Sequence, residues 1–345
     1  MPASNAVFRV LGLEDTLRAE GFVEKRGASF TTEDGRLSRH IDFTACPEVA
    51  APITYQVPRA RFDEILLGHA EQAGVEVRQE CRVRDATFAA DGVRVTVGQD
   101  GQTATARAEF VVDASGQSGF LSKRLALRRL DPKLRNVALY AHYEGVERPE
   151  GERSGDIRIV SRRDMSWIWL IPLSSSRTSV GLVVPRERHA ARAAEPAEEV
   201  LDRVLGATPV AERQIRHAKR VTSARYEADF SYASRAYAGD RWLLAGDAGS
   251  FLDPVFSTGV LLALESGLEA AAAVHRALAS GTVSARAFAA YEQTQRQRYQ
   301  YFRRFVQGFY EPAFRELFFQ PTNRWGLSDA IVPALAGNWR PRSSG

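Results

Sequence analysis

The chain has 345 residues, 44% hydrophobic and 26% charged, which is too long for one small core and suits two interleaved globular domains. Its formal charge of +4 is small for this length and comes with no block of five or more basic residues, which argues against nucleic acid as a partner. Two cysteines, Cys46 and Cys81, cannot build a disulfide framework or a zinc site, and without a signal peptide they point to the cytoplasm.

Residues 5–20 carry Val7, Val10, Leu11 and Leu17 at helical spacing, with Gly21 as the stop. A second helix is predicted over ARFDEILLGHAEQAG, with Phe62, Ile65, Leu66 and Ala73 on one face and Gly74 closing it. The period then changes to alternation. VEV (75–77) and the run from Thr87 to Phe110 predict an antiparallel meander, with Asp91-Gly92 and Asp100-Gly101 as its turns. EFVVDASG closes this region as a short buried parallel strand that meets a glycine-containing loop.

Residues 136–186 form a second β-rich stretch, containing RIV, MSWIWLIPL and TSVGLVVP, and residues 187–220 read as helical. RWLLAGDA is another buried strand, followed by the loop FLDPVFSTG and a helix ending near Gly281. The apolar run 258–279 contains Glu265, Glu269, His275 and Arg276, so it predicts a buried helix and not a membrane span. Residues 284–318 are helical and amphipathic, and the tail from Pro321 is loop-rich, with Ser343, Ser344 and Gly345 frayed. The pattern is α/β with a second sheet, and no glycine-rich dinucleotide fingerprint follows any strand.

The loop after RWLLAGDA concentrates polar chemistry. A strand that stops at Gly246-Asp247 exposes a carboxylate at the carboxyl end of a sheet, where ligands of open α/β folds bind. Pro254 stiffens the loop, and Ser257, Thr258 and Gly259 present backbone N–H groups at the start of a long helix, a site for an anion or a carbonyl oxygen. The plainer alternative is that Asp247 and Ser257 only cap a turn and a helix.

This stretch resembles the second flavin-binding motif of FAD-dependent oxidoreductases of the aromatic hydroxylase type. VVDASGQSGFLSKRL (Val111–Leu125) is similar to the companion motif of that fold, and QVPRARFD to its Arg-x-x-Phe-Asp element. More narrowly, Phe251, Pro254, Ser257 and Gly259 reproduce the F-x-x-P-x-x-S-x-G pattern of flavin-dependent halogenases, and WIWLIP (Trp167–Pro172) reproduces their W-x-W-x-I-P motif. The resemblance covers nearly the whole chain. It implies an FAD-binding Rossmann-like parallel sheet with an antiparallel substrate-side sheet and C-terminal helices. The FAD domain would comprise 1–24, 56–126 and 232–285, the β-rich domain 25–55 and 127–231, and the C-terminal segment 286–345.

The resemblance further implies FAD as cofactor, held by Arg59, Asp113, Gly246, Asp247, Pro254 and Gly259, and used as FADH2 supplied by a separate flavin reductase. In that family reduced flavin and O2 give a hydroperoxide, which bound halide converts to hypohalous acid. Ser257, Thr258 and Gly259 are the halide-site residues so implied. Trp167 and Trp169, two apart on one strand face, would keep the organic substrate from the flavin. Packing in a doubly buried strand explains them equally well, since Ile168 and Leu170 make the other face apolar too.

Lys25 in GFVEKRGASF matches the family lysine that receives hypohalous acid. Only four of the 46 basic residues are lysines, so one in this place stands out. Read without the resemblance, it is a solvated charge after a helix. The implied activity is FADH2-dependent halogenation of an electron-rich aromatic, phenol- or pyrrole-type, free or carrier-bound. A flavin monooxygenase or reductase on the same fold, and a cofactor-free binding protein, are the alternatives. Relatives begin with a strand, G-x-G-x-x-G, a helix and a Gly-Glu-Ser turn before the segment MPASNAVFRVLG. A late start assignment is the expectation that accounts for this, with a true truncation as the other reading.

Overall fold

The computed structural model describes residues 1–45, 51–99, 101–190, 195–320 and 327–339. Its largest element is an eight-stranded sheet whose order runs Lys219–Arg220, Asn136–Glu144, Arg177–Pro185, Trp167–Pro172, Ile157–Ser161, Gly27–Thr32 and Ser38–Asp42, with Arg225–Ala228 pairing beside Asn136–Glu144. All pairings are antiparallel except Ile157–Ser161 against Gly27–Thr32.

Each face of this sheet meets its own core, and that explains the unbroken apolar run of Trp167–Pro172. Ile168 and Leu170 pack with Val200, Leu201, Val204 and Leu205 of the helix Ala197–Gly206. Trp167 and Trp169 point the other way, into a cluster with Phe302, Val306 and Phe309 of the helix Ala289–Phe309 and with Leu252, Val255 and Phe256 of the loop. Strand alternation sends successive residues to opposite faces, so a strand between two cores must be apolar at every position.

The second unit is built on Trp242–Leu244, which pairs in parallel with Val111–Asp113 and antiparallel with Ala238–Gly239. The long helix Gly259–Ala279 follows, contributing Ala270, Ala273 and Ala277 to a core with Leu243, Phe288 and Tyr291. Small residues there allow the helix to lie close to the strands. The meander Arg82–Ala89, Gly92–Gln99 and Gln102–Ala108 completes this unit as a three-stranded sheet.

Most predicted elements appear, with differences at identifiable residues. The first helix is two pieces, Ser4–Leu11 and Glu14–Ala19, because Gly12 takes a left-handed conformation (φ 69°) and its N–H bonds to Arg9 and Phe8 carbonyls. The helix Arg59–Gln72 ends before Gly74 (φ 92°), but Ala73 is exposed and not part of the buried face that Phe62 anchors. VEV (75–77) forms no strand. Of the two predicted turns, Asp91-Gly92 joins its strands, while Asp100 lies outside the described residues. The stretch 284–318 breaks at Tyr310 and Glu311 into Ala289–Phe309 and Pro312–Phe318, since Pro312 has no N–H for a continuing helix but fits the first position of a new one. The tail holds a helix, Leu327–Ala336, that turn residues had obscured; Ser343, Ser344 and Gly345 lie outside the described residues, as does Cys46. No helix among the described residues is long and apolar enough to cross a membrane.

Candidate active site

The site begins where the parallel pair ends. Ala245 N–H donates to the Asp113 carbonyl (2.9 Å), and Gly246 turns the chain with φ 56°. A Cβ at Gly246 would press on Ala263 (3.1 Å), so glycine here serves both the turn and the close approach of the helix. Asp247 follows, held through its carbonyl by the Tyr232 hydroxyl (2.6 Å). Its carboxylate accepts no hydrogen bond from any described residue, and burial pushes it up to about 6, opposed by the charge of Arg59. An ionised carboxylate left without donors in a half-buried place fits a ligand that brings hydroxyl donors.

Two other expected cofactor residues sit differently. Asp113 is buried, and both its oxygens accept backbone N–H groups, from Ser115 (2.9 Å) and Leu121 (2.7 Å), so it shapes the 115–121 loop. Arg59 is exposed and clasps Asp63 through two hydrogen bonds of 3.0 Å, reaching Asp247 only as a charge.

The next turn is built from Asp253. Its carboxylate caps the Pro254–Phe256 turn by accepting Val255 N–H (3.0 Å), and Ser257 then adopts a left-handed conformation (φ 55°) rare for a side-chain-bearing residue. Thr258 is buried at 1% exposure and directly precedes the helix that starts at Gly259, without a side-chain hydrogen bond to its first turn. A Cβ on Gly259 would lie 3.3 Å from the Phe251 ring, which keeps this turn close-packed. The Ser257 N–H, expected at the halide site, is already given to the Pro254 carbonyl (2.9 Å), but the first N–H groups of a helix have no partner within it, so the Thr258 and Gly259 backbone offers donors and the positive helix end together.

Lys25 borders, at Phe43, the apolar cluster that also takes in Val255 and Phe256 of this turn. It ends the strand Val23–Lys25, pairs with Thr54, and is only 4% exposed, which sets aside the solvated-charge reading. Burial lowers its pKa to about 8 against the pull of Asp156. Asp156 itself accepts the N–H groups of Arg26 (2.9 Å) and Gly27 (2.7 Å) and contacts His40 Nε2 (2.8 Å). The Lys25 ammonium stands 5.6 Å from the centre of the Phe43 ring, and Phe43 belongs to the cluster that holds Trp167 and Phe256. The Thr54 hydroxyl donates to the Met1 carbonyl (3.3 Å), and Met1 and Leu261 both abut Gly337.

The two indoles are tethered differently. Trp169 Nε1 donates to Ser179 within its own sheet (3.1 Å), and its ring lies flat over Gly181, where any Cβ would overlap it. Trp167 is fully buried, 5.7 Å from the Trp169 ring, and donates to the Tyr310 hydroxyl (2.8 Å). Tyr310 in turn donates to Asp253 (2.9 Å), which also accepts Asn136 Nδ2 (3.1 Å). Sequence reasoning missed Asp253, Tyr310, Asn136 and Asp156. Only Asp253, adjacent to Pro254 in the loop, carried a signal that could have flagged it.

A parallel pair closing on a helix N-terminus, beside a large antiparallel sheet, is the architecture of flavin-dependent oxidoreductases. Residues 11–320 match the family model of tryptophan halogenase, and the chain belongs to that family. It is 34% identical over 276 residues to a 1H-pyrrole-2-carbonyl-[peptidyl-carrier protein] brominase of Pseudoalteromonas luteoviolacea (strain 2ta16), covering 79% of this chain and 66% of the relative. It is 33% identical over 313 residues to a tryptophan 2-halogenase of Chondromyces crocatus, covering 88% of this chain and 58% of the relative. The chain thus spans less than two thirds of the length of either relative. Among solved structures, the flavin-dependent brominase Bmp2 superposes with a TM-score of 0.88 at 27% identity, covering 100% of this chain and 84% of the other. The flavin-dependent halogenase CmlS gives 0.85 at 30% identity, covering 100% of this chain and 60% of the other.

Proposed function

We propose that the protein uses reduced FAD, O2 and halide to halogenate an electron-rich aromatic, phenol- or pyrrole-type, either free or attached to a carrier protein. The observation that carries this reading is a buried lysine, Lys25, facing the same aromatic cluster as the Trp167 pair and the helix-start turn. The names of two relatives, a brominase and a chlorinase of carrier-bound pyrrole, support the substrate class. A separate flavin reductase supplies the reduced cofactor, and the cysteine usage favours the cytoplasm.

The residues present fit the sugar-alcohol side of a flavin, because the Asp247 carboxylate lacks donors of its own and the chain about Gly246 approaches closely. When bound, the flavin supplies the oxidising equivalent that turns halide into hypohalous acid. The Thr258 and Gly259 backbone holds the halide by N–H donation at the helix start, on a turn closed by the Ser257 N–H. Trp167 and Trp169 wall the organic substrate off from that point. The Lys25 amine hydrogen-bonds the hypohalous acid and directs it to the ring carbon. Burial holds this amine near neutrality, so it can donate to the oxidant in its charged form or carry halogen in its neutral form.

The test supplies the full-length protein with FAD, a flavin reductase, NADH and bromide or chloride, over a panel of phenols and pyrroles free and carrier-bound. Halogenated product that requires halide supports the reading. Oxygenated product formed without halide would replace it with a monooxygenase.

A further inference from the structure

We infer that Tyr310 is a positioning residue that couples the halide-binding turn to the Trp167 indole through the hydrogen-bonded series Asp253–Tyr310–Trp167. The inference rests on the halogenase reading for the identity of the anion, but its geometry stands on its own.

The Trp167 indole N–H, the hydroxyl of the half-buried Tyr310 and the Asp253 carboxylate meet, together with Asn136, beside a largely apolar cluster. Trp167 is completely buried and Asp253 is 2% exposed. The Tyr310 hydroxyl accepts from Trp167 Nε1 at 2.8 Å and donates to Asp253 Oδ2 at 2.9 Å, so it joins them by hydrogen bonds. Asp253 Oδ1 holds Val255 N–H, fixing the turn that delivers Ser257 into its left-handed conformation and opens the long helix. Any displacement of the turn by an arriving anion is passed to Asp253, then to Tyr310, then to the indole.

The surroundings keep Tyr310 from adapting independently. It sits at the break after the helix Ala289–Phe309. There the Arg315 guanidinium fastens the Phe309 carbonyl (2.6 Å) to the carbonyls of Arg162 (2.8 Å) and Met165 (3.0 Å). Phe309 packs edge-on against both Trp167 (6.4 Å) and Phe256 (5.9 Å). Trp169 differs, since its N–H is given to Ser179 within the sheet and so takes no part in the hydrogen-bonded series. The two tryptophans of one motif thus have separate roles: Trp169 is a fixed wall, and Trp167 is a wall whose position answers to the anion site.

The experiment uses protein labelled with 15N-tryptophan, whose five indole N–H signals are resolved and assigned by single Trp→Phe variants. Bromide is titrated into wild type, Tyr310→Phe, Trp167→Phe and the double variant, and the halide KM of product formation is measured in parallel. We expect bromide to shift the Trp167 signal in wild type and leave the Trp169 signal in place. Tyr310→Phe should abolish that shift and weaken bromide binding about tenfold, the effect of one lost buried hydrogen bond. In the Trp167→Phe background the same substitution should add little, because both act on one linkage. A Trp167 signal indifferent to bromide, or additive effects of the two substitutions, overturns the coupling. The halogenation reading fails separately, when wild type binds bromide with the shift but forms no halogenated product.

Discussion

Replacing Asp247 by Asn should stabilise the ligand-free protein while weakening its hold on FAD. In the folded state burial raises this carboxyl from 3.8 to about 6. Each tenfold change in proton affinity is worth about 1.4 kcal/mol, so the ionised form costs the fold about 2–3 kcal/mol. The sign follows from which state holds the proton more tightly. Below pH 3.8 the group is protonated whether folded or unfolded and the cost vanishes; it grows as pH rises and is complete above about 6. Asn matches the protonated form in size and carries no charge. Urea unfolding of the FAD-free proteins at pH 8 should therefore show Asp247→Asn more stable than wild type by about 2–3 kcal/mol. At pH 4 the two should nearly coincide. FAD affinity should change the other way, falling about tenfold or more as hydroxyl donors lose a charged acceptor. A stability gain equal at both pH values, or FAD affinity left intact, would refute the assignment of a donor-starved carboxylate awaiting a ligand.

Lys25→Met removes a buried ammonium whose pKa is lowered from 10.5 to about 8, so it should stabilise the protein by about 3 kcal/mol at pH 7. That gain should fade as pH rises through 8 toward 10.5, as denaturant midpoints across the range will report. Gly181→Ala places a methyl inside the Trp169 ring, so the indole must move within a packed cluster; a loss of about 1–3 kcal/mol in unfolding free energy is expected, with altered near-ultraviolet circular dichroism.

Much of the fold was legible because its signals are local. The meander showed alternation, the long helix showed an apolar run broken by Glu265 and Glu269, and the strand Trp167–Pro172 showed two apolar faces. The split at Gly12 was not foreseen, because glycine is tolerated inside helices and only the left-handed cap decides the matter. The helix Leu327–Ala336 was hidden by its internal Pro333 and the turn residues before it. Among the candidate site residues, Lys25 was singled out only by the family resemblance, whereas Asp247 and the turn through Ser257 also stood out by their place between a strand and a long helix. Tyr310 and Asp156 were not legible, since each reaches its partner across more than a hundred residues, Tyr310 to Trp167 and Asp156 to Arg26, and nothing in the local pattern records such a bond.

The central claim is that oxidant is made at the helix-start turn and used at Lys25, across the wall of indoles. It is tested most directly by comparing wild type and Lys25→Met for two quantities in the same reaction: NADH-driven O2 consumption with FAD and reductase, and halogenated product. The account predicts unchanged O2 consumption and FAD binding, with product reduced at least about a hundredfold, the scale of one positioned catalytic group. Normal halogenation by Lys25→Met would contradict it, as would a parallel loss of O2 consumption and product, which would place Lys25 at the flavin instead.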